Sequence, residues 1–425
     1  MTDDAADLER REAEYEQFVA DNLRANYVAH FSHGMLGMTG FRVINAPTFI
    51  PTYLYMLTGS SALVGLGQGL QQLGAIISPI MSASNVEHRK RVLPVAFRIG
   101  VLMRLQLLGL ALAGWFLGGL PLLVATMLFL FLFGLFMGQQ RVAFQILLSK
   151  VIPIEKRGRL QAYRYLAGGT VAAILSFFAG AWLIEPNVLG NGYAATFLLA
   201  FFLTSLGLII LYRFMREPDP PTIRPRMSIR ERMRDYPQLL ADIDYRNFLV
   251  AQILSFAARI SLPFCILYAA DLIELDGTAI GLVTLAFLAA DTVSNLVWGN
   301  LGDRFGYRLT FLLSLALWIV GLGLLIAASG EIAVYLAFIA LGAAISGHMM
   351  SATTMILEFG DRDDLPMRIA FSTTAEHLMT TIAPIAGGIL AATFGYLPLF
   401  WISIGLLLAA FAILLFLVAE PRHRA

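Results

Sequence analysis

The residues of this chain able to do chemistry are arginines and carboxylates standing inside long apolar runs. Arg42, Arg141 and Arg259 lie well within such runs; Arg98, Arg104 and Arg164 occupy others, Arg98 and Arg164 close enough to the run ends to snorkel to the surface as positioning charges. Arg259 is about 13 residues, hence ~20 Å, from the near end of its run, and Arg42 and Arg141 reach similar depth by the same count. A guanidinium presents fixed N–H donors that fit carboxylate or phosphate oxygens two at a time, so these positions predict an anion site. Between Asn22 and Glu185 the only carboxylates are Glu87 and Glu155, both in polar breaks, so the first half has no buried acid. The acids inside apolar runs are Asp291 and Glu376, with Asp271 and Glu358 nearer the run ends. Desolvation raises a carboxyl pKa and a nearby arginine lowers it, so such a group can exchange a proton as its surroundings alternate. Asp291 is the first expectation for that role and Glu376, beside His377, the second. The structural alternatives are an Asp291–Arg259 ion pair, and arginines that cap helices broken near Pro47, Pro51 and Pro263.

The elements that must hold these groups are membrane helices. The chain of 425 residues is 58% hydrophobic and 14% charged, whereas soluble domains carry about 25% charge. A span needs roughly 20 apolar residues, and twelve stretches qualify: 25–57, 61–83, 92–116, 121–151, 159–184, 193–214, 246–273, 278–300, 309–328, 332–359, 368–393 and 396–418. The expected fold is an all-α membrane protein. Its organisation is an amphipathic segment 1–24, a six-helix bundle 25–214, a proline-rich linker 215–245, a second six-helix bundle 246–418 and a tail 419–425. In the first segment Leu8, Tyr15, Phe18 and Val19 share one helical stripe, as an interfacial anchor would. With a short gap allowed, a shift of about 216 residues aligns Gly59, Ser61, Gly65 and Leu66 with Gly277, Ala279, Gly281 and Leu282, so the bundles are pseudo-symmetric repeats. The same shift sets Arg42 opposite Arg259 within a residue.

Basic residues collect on one side: in the loops 87–91, 155–159, 213–246, 302–308 and 361–368 and in the tail, while the opposite loops contain no Lys or Arg. Such loops are cytoplasmic as a rule. Both termini are therefore expected inside, in a multi-pass protein of the bacterial inner (plasma) membrane. Asp3, Asp4, Asp7 and Glu9 replace the positive start of a secretory signal. The lone Cys265 excludes an intramolecular disulfide, and a net charge of +1 gives no reason to expect nucleic acid.

Between two long apolar runs, Gly299-Asn-Leu-Gly-Asp303-Arg304-Phe-Gly306-Tyr-Arg308 has the pattern G-x-L-x-D-R-x-G-x-R. It resembles a loop of the major facilitator superfamily of transporters. Pro153 through Arg159, with Arg157-Gly158, is similar to a second loop of that family, and Pro366-Met367-Arg368 is its counterpart in the other half. The resemblance implies twelve transmembrane helices in two bundles and a latch favouring the outward-facing state. The latch residues would be Gly299, Asp303, Arg304, Gly306 and Arg308, with Glu87 in the degraded first-half copy. Spans one, four, seven and ten line the family's central cavity, so Arg42, Arg141, Arg259 and His348 would converge there. That arrangement resembles organic-phosphate antiporters, with arginines on spans one and seven, and organic-anion symporters, with arginines on spans one and four.

These readings imply a secondary active transporter of a small solute, an organic anion such as a carboxylate or phosphate, by alternating access and with protons as a candidate coupling ion. Its partners are the solute, the lipid bilayer and protons. One alternative is a proton-driven exporter of hydrophobic or cationic compounds; Pro384-x-x-Gly-Gly resembles a drug-antiporter motif but lies in span eleven. Another is a non-transporting assembly or sensing partner in the membrane. His30 and His33 are one turn apart without a third ligand, a poor metal site. Nothing resembles a phosphate loop, a catalytic triad or a zinc site, so neither cofactor nor enzymatic activity is expected.

Overall fold

The computed structural model describes residues 2–86, 90–220, 242–359 and 365–420. Almost all are helical. Helix α1 (Thr2–Asp21) precedes α2 (Leu23–Asn45), α3 (Phe49–Thr58), α4 (Ser61–Val86), α5 (Leu93–Phe116), α6 (Gly119–Val151), α7 (Ile154–Ala179, with a π turn to Ile184) and α8 (Gly192–Phe214). The second half comprises α9 (Ile243–Ala257), α10 (Cys265–Ala269), α11 (Gly277–Phe305), α12 (Tyr307–Ile326), α13 (Glu331–Thr354), α14 (Leu365–Phe394) and α15 (Tyr396–Phe416). Ten helical segments among the described residues are long and apolar enough to cross a membrane. The other two expected spans correspond to α2 with α3 and to the 26-residue α4.

Spans one and seven are each interrupted. Ala46 is extended, with ψ 141, because Pro47 follows it and a proline disfavours the helical conformation of its predecessor. In the second half Ala258–Phe264 winds as 3₁₀ turns with Pro263 inside. That proline has no N–H to return to the carbonyl of Arg259, four residues back. The two breaks sit at repeat-related positions, four residues after Arg42 and around Arg259.

The first bundle packs α2 against α7 and α8, and α4 against α6; the second packs α13 against α11 and α12. The bundles meet along two seams, α4 with α14 and α7 with α11. On the side away from the termini these seams are backbone contacts. A Cβ on Gly65 would lie 2.2 Å from the Pro384 carbonyl oxygen, and one on Gly180 would lie 2.2 Å from that of Gly277. Ser61 Oγ and Tyr396 OH are 3.0 Å apart, and the Glu185 carboxylate accepts from the Gly277 N–H at 2.6 Å, capping α11 from the other bundle.

The basic side is organised by charge-assisted caps. Glu217, at the start of the linker, accepts from the N–H groups of Val92 and Leu93 at 2.7 and 2.8 Å and pairs with Lys150 at 2.9 Å. Arg157 donates to the carbonyls of Ile152 and Ser149 at 2.7 and 2.6 Å, closing the C-terminus of α6. Arg368 pairs with Asp242 at 3.0 Å and ties α14 to α9. Helix α1 docks through Tyr15, whose hydroxyl donates to the Lys150 carbonyl at 2.8 Å, and through buried Val19. Burial there raises the Tyr15 pKa.

Candidate functional site

At mid-height one polar cluster joins the bundles. Arg42, at the end of α2, forms an ion pair with Asp291 of α11, donates to Thr292 Oγ1 at 2.9 Å and lies over the Tyr165 ring of α7 at 4.3 Å. The Tyr165 hydroxyl is 3.5 Å from the same carboxylate. The Arg42 and Asp291 side chains are only 12% and 11% exposed, so solvent weakens their attraction little. Thr48 and Thr284 continue the contact, with hydroxyls 2.6 Å apart. The cation paired with Asp291 is thus Arg42, where the sequence suggested Arg259.

Toward the basic side of this cluster the first bundle carries a recess of about 570 Å³. Its polar lining includes His33 of α2, Gln140, Arg141 and Gln145 of α6, and Gln161 and Arg164 of α7; Phe41, Phe144 and Met137 are among its apolar walls. Arg141 is exposed and within electrostatic range of His377 across the seam. Arg164 is buried, donates to Gln161 at 2.7 Å and lies 5.6 Å from the centre of the Phe144 ring. Its Nε and both ring nitrogens of His33 are buried without a hydrogen-bond partner. His33 stacks on Phe144 at 4.4 Å. No carboxylate is among the described lining residues.

Two glycines make these placements possible. A Cβ on Gly34 of α2 would meet Arg164 Nε at 2.2 Å and its Cγ at 2.8 Å; one on Gly169 of α7 would meet Arg42 Nη1 and Thr292 Oγ1, each at 2.1 Å. Arg164 reaches across α2 at one notch, and Arg42 reaches across α7 at the other. Arg164, read as a positioning charge near the membrane surface, instead turns inward over Gly34.

The expected convergence of four cationic or polar groups is corrected in part. Arg42 is engaged by Asp291, and Arg141 borders the recess. Arg259 is half-buried in the other bundle, 5.2 Å from the Phe256 ring, with Nε unpartnered and Glu376 in electrostatic range. His348 is fully buried; it contacts Ser255 Oγ at 2.9 Å and is ringed by Phe256, Phe311 and Trp318, so it packs within the second bundle. Arg104 is likewise architectural: it donates to the carbonyls of Thr204 and Gly100 at 2.7 and 2.8 Å, joining α5 to α8. The Glu376 carbonyl accepts from Thr380 Oγ1 at 3.0 Å.

In the glycine-rich loop Asp303 accepts from the Tyr307 hydroxyl at 3.1 Å. Arg308 donates to the carbonyls of Leu414 and Leu415 at 2.9 and 2.7 Å, which closes the end of α15. Gly306 has φ +90, a left-handed value suited to glycine, where α11 stops. Arg304 is exposed, and no atom lies within 4 Å of the Cβ position at Gly299. These contacts all fall inside the second bundle. Glu87 lies outside the described residues.

An all-helical chain of two repeated bundles, with interrupted helices at repeat-related positions and a polar seam at mid-height, defines a polytopic membrane protein of the transporter type. Residues 248–425, in the second half of the chain, match the Major Facilitator Superfamily model. Over the larger part of its length the fold is similar to the D-xylose-proton symporter (TM-score 0.74, 13% identity, 94% of this chain and 99% of that one). It is also similar to a bacterial homologue of the iron transporter ferroportin in its inward-facing state (TM-score 0.69, 16% identity, 92% and 98%). In sequence it is 27% identical over 186 residues to the multidrug resistance protein MdtG of Escherichia coli, a match covering 41% of this chain and 45% of that protein.

Proposed function

We propose that this chain is a secondary active transporter that moves a small organic anion, a carboxylate or phosphate ester, across the inner membrane by alternating access, with both termini cytoplasmic. The observation that carries the reading is the recess in the first bundle: two arginines, Arg141 and Arg164, face about 570 Å³ without a carboxylate among the described lining residues. Buried polar atoms without partners are rare in folded proteins, and here they belong to Arg164 and His33 at that recess. A bound oxyanion would satisfy Arg164.

In this reading the conformation described is inward-open. Glycine contacts seal the side away from the termini, and the recess occupies the basic half of the bundle. The similar ferroportin homologue was also solved in an inward-facing state. Asp303, with Gly299, Arg304, Gly306 and Arg308, belongs in this reading to a latch that favours the outward-facing state. Arg42 and Asp291 hold the bundles together at mid-height, and protonation of Asp291 would release Arg42, making it the first candidate for proton coupling. Glu376, near Arg259 and His377, is the second. Arg259 would join the anion only after the bundles rearrange.

One rival has specific support. The name of MdtG and the recess walls of Phe41, Phe144 and Met137 favour export of hydrophobic or cationic compounds. Thermal-shift binding of carboxylates, phosphates and amines to purified protein, followed by uptake in proteoliposomes, decides between them. Stabilisation by anions that is lost in Arg141→Ala, Arg164→Ala protein supports the proposal. Stabilisation by amines alone replaces it with the exporter, and binding without any flux replaces it with a sensing partner.

A further inference from the structure

On the outer face of the first bundle, away from the solute recess, a second hollow of about 620 Å³ lies where α1 ends, α2 begins and α7 begins. We infer that it holds the phosphate head group of an anionic membrane phospholipid. Arg24, Lys156 and Arg159 line it beside Tyr27 and Tyr163, against a single carboxylate, Asp21. The three cations are exposed, as an externally supplied anion requires. Arg159 is oriented by its neighbour: Nε donates to the Tyr163 hydroxyl at 3.1 Å, and the guanidinium is 5.4 Å from that ring's centre. This contact uses one of five guanidinium N–H donors. Lys156 and Arg159 also sit on the first turns of α7, where the helix dipole favours negative charge.

The same face of α7 explains why the anion would be a lipid and not a soluble phosphate. Lys156, Arg159, Tyr163, Thr170 and Ile174 fall on one helical stripe, and each of the five is exposed. Tyr163 is 43% and Ile174 48% exposed, and Val28 on the adjacent α2 is 54% exposed. Tyr163 to Ile174 spans about 16 Å along the helix, close to half of a ~30 Å hydrocarbon core. The stripe thus passes from cations to an aromatic residue at the interface and on to an apolar surface one leaflet deep, the order of groups along a phospholipid.

Each cation near an anionic membrane surface contributes about fivefold in affinity, so the three together give roughly a hundredfold preference for anionic over zwitterionic lipid. The test is the melting temperature of the full chain in nanodiscs of phosphatidylcholine with increasing phosphatidylglycerol, with inorganic phosphate in phosphatidylcholine nanodiscs as the second arm. Saturable stabilisation by phosphatidylglycerol is expected, with half-saturation moved about fivefold upward in Lys156→Gln and about a hundredfold in Arg24→Gln, Lys156→Gln, Arg159→Gln. The single variant keeps the test decisive if the triple variant folds poorly. Unchanged half-saturation in Lys156→Gln would overturn the inference. So would equal stabilisation by inorganic phosphate alone, which would make the hollow a free-phosphate site.

Discussion

Gly169 is the position at which a single methyl group should shift the balance between the two open states. The Cβ of alanine there would lie 2.1 Å from Arg42 Nη1 and from Thr292 Oγ1 and 2.7 Å from Thr292 Cγ2. Real Cβ contacts do not fall below 3.0 Å, so about 0.9 Å of movement is required (3.0 − 2.1). Arg42 can withdraw its guanidinium, but then it leaves Thr292 and loosens its pair with Asp291; alternatively α11 backs away from α7. Either response weakens charge-assisted bonds worth about 1.5–3 kcal/mol that belong to this conformation. Destabilising one of two states by that amount moves the equilibrium roughly ten- to a hundredfold. The readout is labelling by an impermeant maleimide in a background where buried Cys265 is replaced by serine. In Gly169→Ala a reporter at Ser61, within the sealed side, should react at least about tenfold faster, and one at Gln145, in the recess, should react more slowly. Gly405→Ala, where no atom lies within 4 Å of the added carbon, is the control and should change neither. Equal labelling of Gly169→Ala and wild type would refute the argument that the Arg42–Asp291 contact holds this state.

Other consequences follow from the same contacts. Gly34→Ala should expel Arg164 from the recess and lower anion affinity roughly ten- to a hundredfold while leaving the charge of the chain unchanged; normal binding by calorimetry would show that Arg164 is no ligand. Asp291→Asn should lose accumulation driven by a pH gradient and keep counterflow, since exchange moves no net proton; undiminished accumulation would pass the role to Glu376. His348→Ala should lower the melting temperature through a cavity among Phe256, Phe311 and Trp318 with solute affinity unaltered; a selective loss of affinity would restore it to the site.

The membrane class and the two-bundle fold were legible because they rest on long-range averages: apolar run length, basic loops and a glycine-bearing repeat. The interruption near Arg42 could be foreseen because Pro47 constrains its neighbour wherever it stands. Side-chain direction was less accessible. His348 and Arg141 both belong to spans expected to line the cavity, yet a rotation about the helix axis places one among Phe256, Phe311 and Trp318 and the other at the recess. Hydropathy cannot distinguish these faces, since the second bundle's interior, like the lipid, is largely apolar. Depth alone also misjudged Arg164. The better signal was spacing: Gln161, Arg164 and Tyr165 fall at i, i+3 and i+4 on one face of α7, and Gln140, Arg141 and Gln145 cluster on α6. Arg42 and Asp291 were both singled out, but their partnership depends on how α2 and α11 pass each other, and no local pattern encodes that.

The crossed arginines of α2 and α7 bear on how solute and conformation could communicate. Each guanidinium stem rests in a glycine notch of the other helix, Arg164 at Gly34 and Arg42 at Gly169, so a slide of one helix along the other must move both. Arg164 ends at the recess proposed to hold the solute; Arg42 ends on the opposite bundle. A solute that draws Arg164 toward itself therefore acts on the helix pair that also presents Arg42 to Asp291, with Tyr165, adjacent to Arg164 in sequence, touching both ends of that ion pair. Packed helices with side chains locked in notches move between discrete arrangements and do not deform smoothly. The communicating element is accordingly small: two helices, two arginines and two glycines, all within the first bundle, which act on the second through one carboxylate.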